Sequence, residues 1–207
     1  MREELIEIFK DELPGFDAHQ LMLPIKNEAA KRTFSSDKIY KDSGVAILLF
    51  QNRGNLNTIL IERTAYEGAH SGQISFPGGK REDPDRTLEH TARRECSEEI
   101  NQDMSSAVLI KKLSDVYIPV SNFRVSPYVF WIDDLSELEA ETREVHRIIE
   151  VESTLLTNIE VMKTTDMKFG DGLTRKDIPY FDINGHVVWG ATAMILAELR
   201  YFLLKIN

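Results

Sequence analysis

Two neighbouring segments decide how this chain reads: Ser75-Phe76-Pro77-Gly78-Gly79, and Arg94-Glu95-Cys96-Ser97-Glu98-Glu99 downstream of it. The residues after the diglycine predict a helix. Asp83 is a good N-cap, Pro84 suits the first helical position, and no Gly or Pro follows until well past Ile100. With Glu95 at zero on a wheel of about 100° per residue, Glu98 falls at about −60° and Glu99 at about +40°. Leu88, Ala92, Cys96 and Ile100 make an apolar stripe beside these acids, and His90, Arg93 and Ser97 take the far side. The three carboxylates thus flank a buried stripe and do not lie opposite it.

Acids so crowded repel one another unless positive charge compensates them, and Arg94 alone does not neutralise three. Oxygen ligands at i, i+3 and i+4 suit Mg²⁺ or Mn²⁺, which take carboxylates, water and phosphate oxygens. The plainer reading is a solvated acidic face. Two successive glycines allow close backbone approach, so a carbonyl at Gly79 would reach the same metal, or an amide at Gly78 a phosphate.

Arg94 to Glu99 matches the R-E-U-x-E-E core of the signature G-x5-E-x7-R-E-U-x-E-E-x-G-U, U being aliphatic, and here the chain resembles the Nudix hydrolase family. Gly79 to Arg94 is one residue longer than the signature, so its early acid falls on Asp85 counted forward and on Arg86 counted backward. Asn101 stands for the last Gly and Gln102 for the last aliphatic. Asn tolerates the left-handed conformation that ends a helix. The longer spacing is similar to that of the coenzyme A pyrophosphatase branch. So is the upstream run Ile59-Leu60-Ile61-Glu62-Arg63-Thr64, then His70, Gly72 and Phe76 to Gly79, with Ile61, Thr64 and Glu67 as departures. Val188 to Ala193 resembles the segment that ends such enzymes.

The resemblance implies an α/β fold, the Nudix α/β/α sandwich with a mixed sheet. It implies metal-dependent hydrolysis of the pyrophosphate bond of coenzyme A or its derivatives, giving adenosine 3',5'-bisphosphate and 4'-phosphopantetheine. Glu95, Glu98 and Glu99, with Gly79, would hold Mg²⁺ or Mn²⁺, and Arg94 would orient Glu95. One carboxylate, from Glu95, Glu98 or a residue outside the helix, would position or deprotonate the water. Glu144 is the first outside candidate and Glu152 the second. Arg63, His70, Gly78 and Lys80 are the expected substrate contacts. The polar connector Ser121-Asn122-Phe123-Arg124 adds Phe123 and Arg124, which would meet an adenine or a phosphate. A Nudix enzyme for ADP-ribose or another nucleoside diphosphate derivative would share every metal ligand, and a nucleotide sensor without catalysis is the reading from a different class.

Composition bounds the rest. With 207 residues, 42% of them hydrophobic, the chain has material for one domain, read as residues 41–207 with an N-terminal helical or irregular extension at 1–40 packed on it. No apolar run approaches a membrane span, the charged N-terminus is no signal peptide, and Leu204 to Asn207 is no peroxisomal address, so a cytoplasmic chain without a membrane partner is expected. Cys96 is the single cysteine, which rules out an internal disulfide framework; its place on the apolar stripe suits a buried, inert thiol. A net charge of −9 argues against a nucleic-acid surface while leaving room for an anionic small substrate. A homodimer is compatible with the sequence.

Element by element, Arg2 to Lys10 reads as a short amphipathic helix ended by Pro14-Gly15, and a helical turn is expected near Glu28 to Lys31. Gly44 to Gln51 and Thr58 to Arg63 read as a hairpin about Asn52-Arg53-Gly54-Asn55. Strands follow at Val108 to Leu113, Val116 to Val120, Val125 to Ile132 and Glu144 to Val151, with a short helix from Ser153. Lys163 to Phe169 and Ile178 to Ile183 read as strands, Asn184-Gly185 as a turn into His186 to Trp189, and Gly190 to Lys205 as the closing helix. This order suggests a mixed sheet between helical layers.

Overall fold

Val45 to Phe50 is an unbroken apolar run, as a strand covered on both faces requires. In the computed structural model, which describes residues 1–24, 39–65, 72–169 and 172–206, it is the middle of β1 (Lys41–Asn52). Its side chains alternate between two cores. Ala46, Leu48 and Phe50 share one with Ala92, Cys96 and Ile100 of α3 (Leu88–Ile100). Ile47 and Leu49 share the other with Met194, Leu199 and Phe202 of α5 (Gly190–Leu203). The expected helix, sheet, helix layering is therefore present.

Among the described residues, eight strands form one mixed sheet. β1 runs parallel to β7 (Phe123–Trp131), from Lys41 opposite Phe123 to Leu49 opposite Trp131. It is antiparallel to β2 (Asn55–Arg63) and to β4 (Gly78–Lys80), where Gly44 faces Gly79. β2 carries β3 (Ile74–Ser75) and β8 (Val145–Glu152), and β7 carries β5 (Val108–Lys112) and β6 (Val116–Ile118). After α4 (Ser153–Thr157), a second sheet joins β9 (Met162–Lys168), β10 (Thr174–Ile183) and β11 (His186–Trp189). Both expected hairpin turns form with positive φ, at Arg53-Gly54 and Asn184-Gly185.

At the N-terminus, α1 (Arg2–Ile8) leads to α2 (Phe16–His19) and a 3₁₀ turn at Gln20–Met22. Phe9 stacks on Phe202 with ring centroids 4.4 Å apart, so the segment docks on α5. Buried Glu198 of α5 accepts from Gly15 N (3.3 Å), Ser114 N (3.1 Å) and Ser114 Oγ (2.7 Å), and lies 3.0 Å from His19 Nε2. None of the described helices is long and apolar enough to cross a membrane. The turn expected at Glu28 to Lys31 lies outside the described residues.

Three expectations need correction. The helix begins five residues after Asp83: Thr87 is the N-cap, its side chain accepting from His90 N at 3.2 Å. The intervening residues are held as a loop because Asp85 is drawn inward by Arg94. The connector is shorter than expected, since β7 already begins at Phe123, after Asn122 turns the chain at φ 58°. Arg93 is half-buried, with its guanidinium on the carbonyls of Met104 (2.7 Å) and Ala107 (3.1 Å) and 4.5 Å from the Phe130 ring centroid.

Candidate active site

α3 lies so close to β1 that a Cβ on Gly44 would stand 2.2 Å from the Leu88 carbonyl oxygen. That contact brings the helix acids onto the diglycine. Glu99, 2% exposed, accepts from Gly78 N at 2.8 Å and from Arg63 Nη1 at 3.2 Å. Burial pushes its carboxyl up to about 7, against the opposing pull of Gly78 and Arg63. Glu95 lies against Gly79, where an added Cβ would meet its Cδ at 2.4 Å. Burial raises the Glu95 carboxyl too, opposed by Arg94.

Glu144 lies close enough for its charge to raise both of these carboxyls. Its loop is fixed from three sides: Thr64 N donates to Glu144 O (2.9 Å), Glu144 N to Glu141 O (2.9 Å), and Glu141 N to Glu99 O (3.0 Å). Glu152 sits at the other end of β8, where its carboxylate accepts from Asn55 and Thr154. Of the two outside acids named from sequence, the structure brings Glu144 to the cluster and not Glu152.

Glu98 differs from its neighbours. Its side chain is 59% exposed and accepts from Arg94 Nη1 at 2.8 Å. Arg94 is a hub: it grips Asp85 with Nε (3.2 Å) and Nη2 (3.0 Å), touches the Lys80 carbonyl (3.2 Å), and lies 2.9 Å from Glu95 Oε1. The Asp85 carboxyl, held chiefly by this fork and also by Glu82 N and Thr91 Oγ1, is lowered to about 2. Of the two positions that the spacing offered for the early acid, the structure pairs Asp85 with Arg94. Counting forward from Gly79 was the signal.

Asn101 closes α3 in the left-handed conformation, φ 58°, with its N–H on Ser97 O. Gln102 is buried, and its Oε1 accepts from Ser136 N at 3.0 Å, so the amide anchors a loop where an aliphatic was expected. Cys96 is fully buried and burial pushes its thiol up, as befits an inert core residue. Lys80 is exposed at the end of β4. Phe123 packs on the α5 side of the sheet, and Arg124 Nε donates to Asp42 at 2.8 Å, so the described partners of both lie on the sheet. His70 lies outside the described residues.

Buried Glu99 and half-buried Glu95, both carboxyls held above the ordinary range, are hard oxygen donors, with the charge of Glu144 acting on both. A divalent cation relieves that condition. Among the described residues no three His, Cys, Asp or Glu side chains form a ready-made cage. An ion would complete its shell with water and phosphate oxygens, as Mg²⁺ does. Glu95 and Glu99 suit a cation that takes its remaining ligands in this way.

A family model for the NUDIX domain matches residues 41–173. The chain belongs to the Nudix family. It is 30% identical over 164 residues to Nudix hydrolase 22, chloroplastic, of Arabidopsis thaliana, a match covering 75% of this chain and 53% of that protein. The chain thus spans about half the length of that relative. It is 33% identical over 144 residues to mitochondrial coenzyme A diphosphatase NUDT8 of Mus musculus, covering 66% of this chain and 65% of the mouse protein. Among solved structures, the Nudix hydrolase RenU from M. smegmatis shares the fold, with a TM-score of 0.54 at 14% identity over 81% of this chain and 88% of that one. The matched Nudix region ends at residue 173, so β10, β11 and α5 lie beyond it.

Proposed function

We propose that this Nudix chain hydrolyses the pyrophosphate bond of coenzyme A or a derivative, with Mg²⁺ or Mn²⁺, giving adenosine 3',5'-bisphosphate and 4'-phosphopantetheine. The packing of buried Glu99 and half-buried Glu95 against Gly78-Gly79 carries the hydrolytic reading. The choice of coenzyme A is supported by Arg63 reaching the same carboxylate cluster from the upstream motif, by the longer Gly79 to Arg94 spacing, and by the mouse coenzyme A diphosphatase relative.

Glu95, Glu98 and Glu99, with the Gly79 carbonyl, would hold the cation. When bound, it supplies charge neutralisation of the phosphates and a more acidic water. The chain's own groups do the rest. Asp85 locks Arg94, and Arg94 fixes the carboxylates of Glu95 and Glu98. Glu144, on its tethered loop, takes the proton of the attacking water. Arg63 and Lys80 supply local positive charge for the diphosphate in a chain whose net charge is −9.

The test is turnover of coenzyme A against ADP-ribose with Mg²⁺ and with Mn²⁺, products identified by mass. Higher kcat/KM for coenzyme A is expected, and faster cleavage of ADP-ribose would refute that substrate assignment. Glu95→Gln and Glu99→Gln should each lower kcat at least about a hundredfold; unchanged hydrolysis in either would remove the site itself.

A further inference from the structure

The second sheet carries a group of side chains that the hydrolytic site does not use. Arg175 of β10 faces Met167 of β9, but Ile178 faces Thr165, so Lys176 and Asp177 stand against Asp166 alone. This bulge, with Asp177 at φ 54°, breaks the ladder next to Arg175. Bulges commonly re-aim a side chain beside a functional site. Here the Arg175 guanidinium lies over the Phe169 ring, 4.4 Å from its centroid. Phe169 in turn meets Trp189 edge to face, at 5.3 Å and 78°.

Position separates this group from the core. Phe181 and Val188 face each other and are fully buried, while the next pair, Tyr180 and Trp189, points to the opposite face. Phe169, Arg175 and Trp189 are each half-buried. The group is also tied to the catalytic end: β11 packs against β3, and Thr192 Oγ1, in the first turn of α5, donates to the Ile74 carbonyl at 3.0 Å. From Ser75 at the end of β3 to Gly79 the chain spans at most about 14 Å, so the strand that β11 packs against leads directly into the diglycine.

We infer that Phe169, Arg175 and Trp189 form a stacking platform for the nucleobase of the substrate. Half-exposed aromatic groups and a guanidinium plane suit a planar, electron-rich purine, whereas a pantetheine arm has no aromatic ring to offer them. Arg175 and Trp189 both follow the matched Nudix region, so the platform would give this chain a substrate preference that the shared carboxylates do not. The assignment rests on the reading of the substrate as a nucleotide derivative.

The experiment titrates metal-free protein with adenosine 3',5'-bisphosphate and, separately, with 4'-phosphopantetheine, following tryptophan fluorescence. Of the two tryptophans, Trp131 is in the core at 4% exposure, and Trp189→Phe assigns the signal. The bisphosphate should quench Trp189 and phosphopantetheine should not. Phe169→Leu, which keeps apolar bulk, and Arg175→Gln should each weaken bisphosphate binding about tenfold. Each should raise KM for coenzyme A by a similar factor, change kcat far less and leave the melting temperature near that of the wild type. A silent Trp189, quenching by phosphopantetheine alone, or unaltered affinity and KM in both variants would overturn the platform. Hydrolysis with a silent Trp189 defeats the platform alone, and quenching without any hydrolysis defeats the hydrolase reading alone.

Discussion

Gly79→Ala should separate activity from stability. Gly79 is not among the residues at positive φ, so the backbone accepts alanine. The new Cβ, however, would lie 2.4 Å from Glu95 Cδ and 2.5 Å from each Glu95 carboxylate oxygen. Ordinary carbon contacts begin at about 3.5 Å, so the carboxylate must retreat by about 1 Å. It sits at the end of a flexible side chain, and retreat loosens its 2.9 Å contact with Arg94 without moving α3. A displacement of about 1 Å at a reacting centre costs on the order of a hundredfold in rate, whereas the melting temperature should stay within about 2 °C of wild type. Gly44→Ala is the converse, because its Cβ would meet backbone, Leu88 O at 2.2 Å and Ala92 N at 2.9 Å. Overpacking of that kind costs about 1–3 kcal/mol, and at about 2–4 °C per kcal/mol for a chain of this size the loss shows clearly in a melt. The assays are coenzyme A hydrolysis with Mn²⁺ and thermal melting followed by circular dichroism. Gly79→Ala with activity within threefold of wild type, at unchanged melting temperature, would refute the importance of where Glu95 sits.

Asp85→Asn should flatten the acid limb of stability. The folded carboxyl, at about 2, lies below its ordinary 3.8, so its contribution is complete above about pH 4 and is lost as pH falls through about 2. Urea midpoints at pH 6 and pH 3 should therefore differ less in the variant. Glu198→Ala removes the buried acceptor shared by Gly15, His19 and Ser114, and should cost about 3 kcal/mol. Faster proteolysis within the first 24 residues should accompany that loss. Asn101→Gly should hold or raise the melting temperature, while Asn101→Ala should cost about 1 kcal/mol of stability and lower it, because the cap sits at φ 58°.

Some of this protein was fixed locally, and its sequence sufficed for that. Gly54 and Asn184-Gly185 dictate tight turns because Gly and Asn accept positive φ, and Val45 to Phe50 dictates a strand covered on both faces. The 3.6-residue period put the acids of α3 beside its apolar stripe, and the residues around them carry the resemblance to the family. The period did not tell which acids turn inward. Glu95 and Glu99 do so because a diglycine strand and the Arg63 guanidinium are there to receive them, while Glu98 stays with Arg94 at the surface. The same holds for Asp85, whose pairing with Arg94 outweighs the better local cap at Asp83, and for Glu144, delivered through ties to Thr64 and Glu99. Local preferences are worth fractions of a kcal/mol per residue, whereas burying a charge without its partner costs several. Residues distant in sequence supply those partners, so only the tertiary structure decided where the acids point.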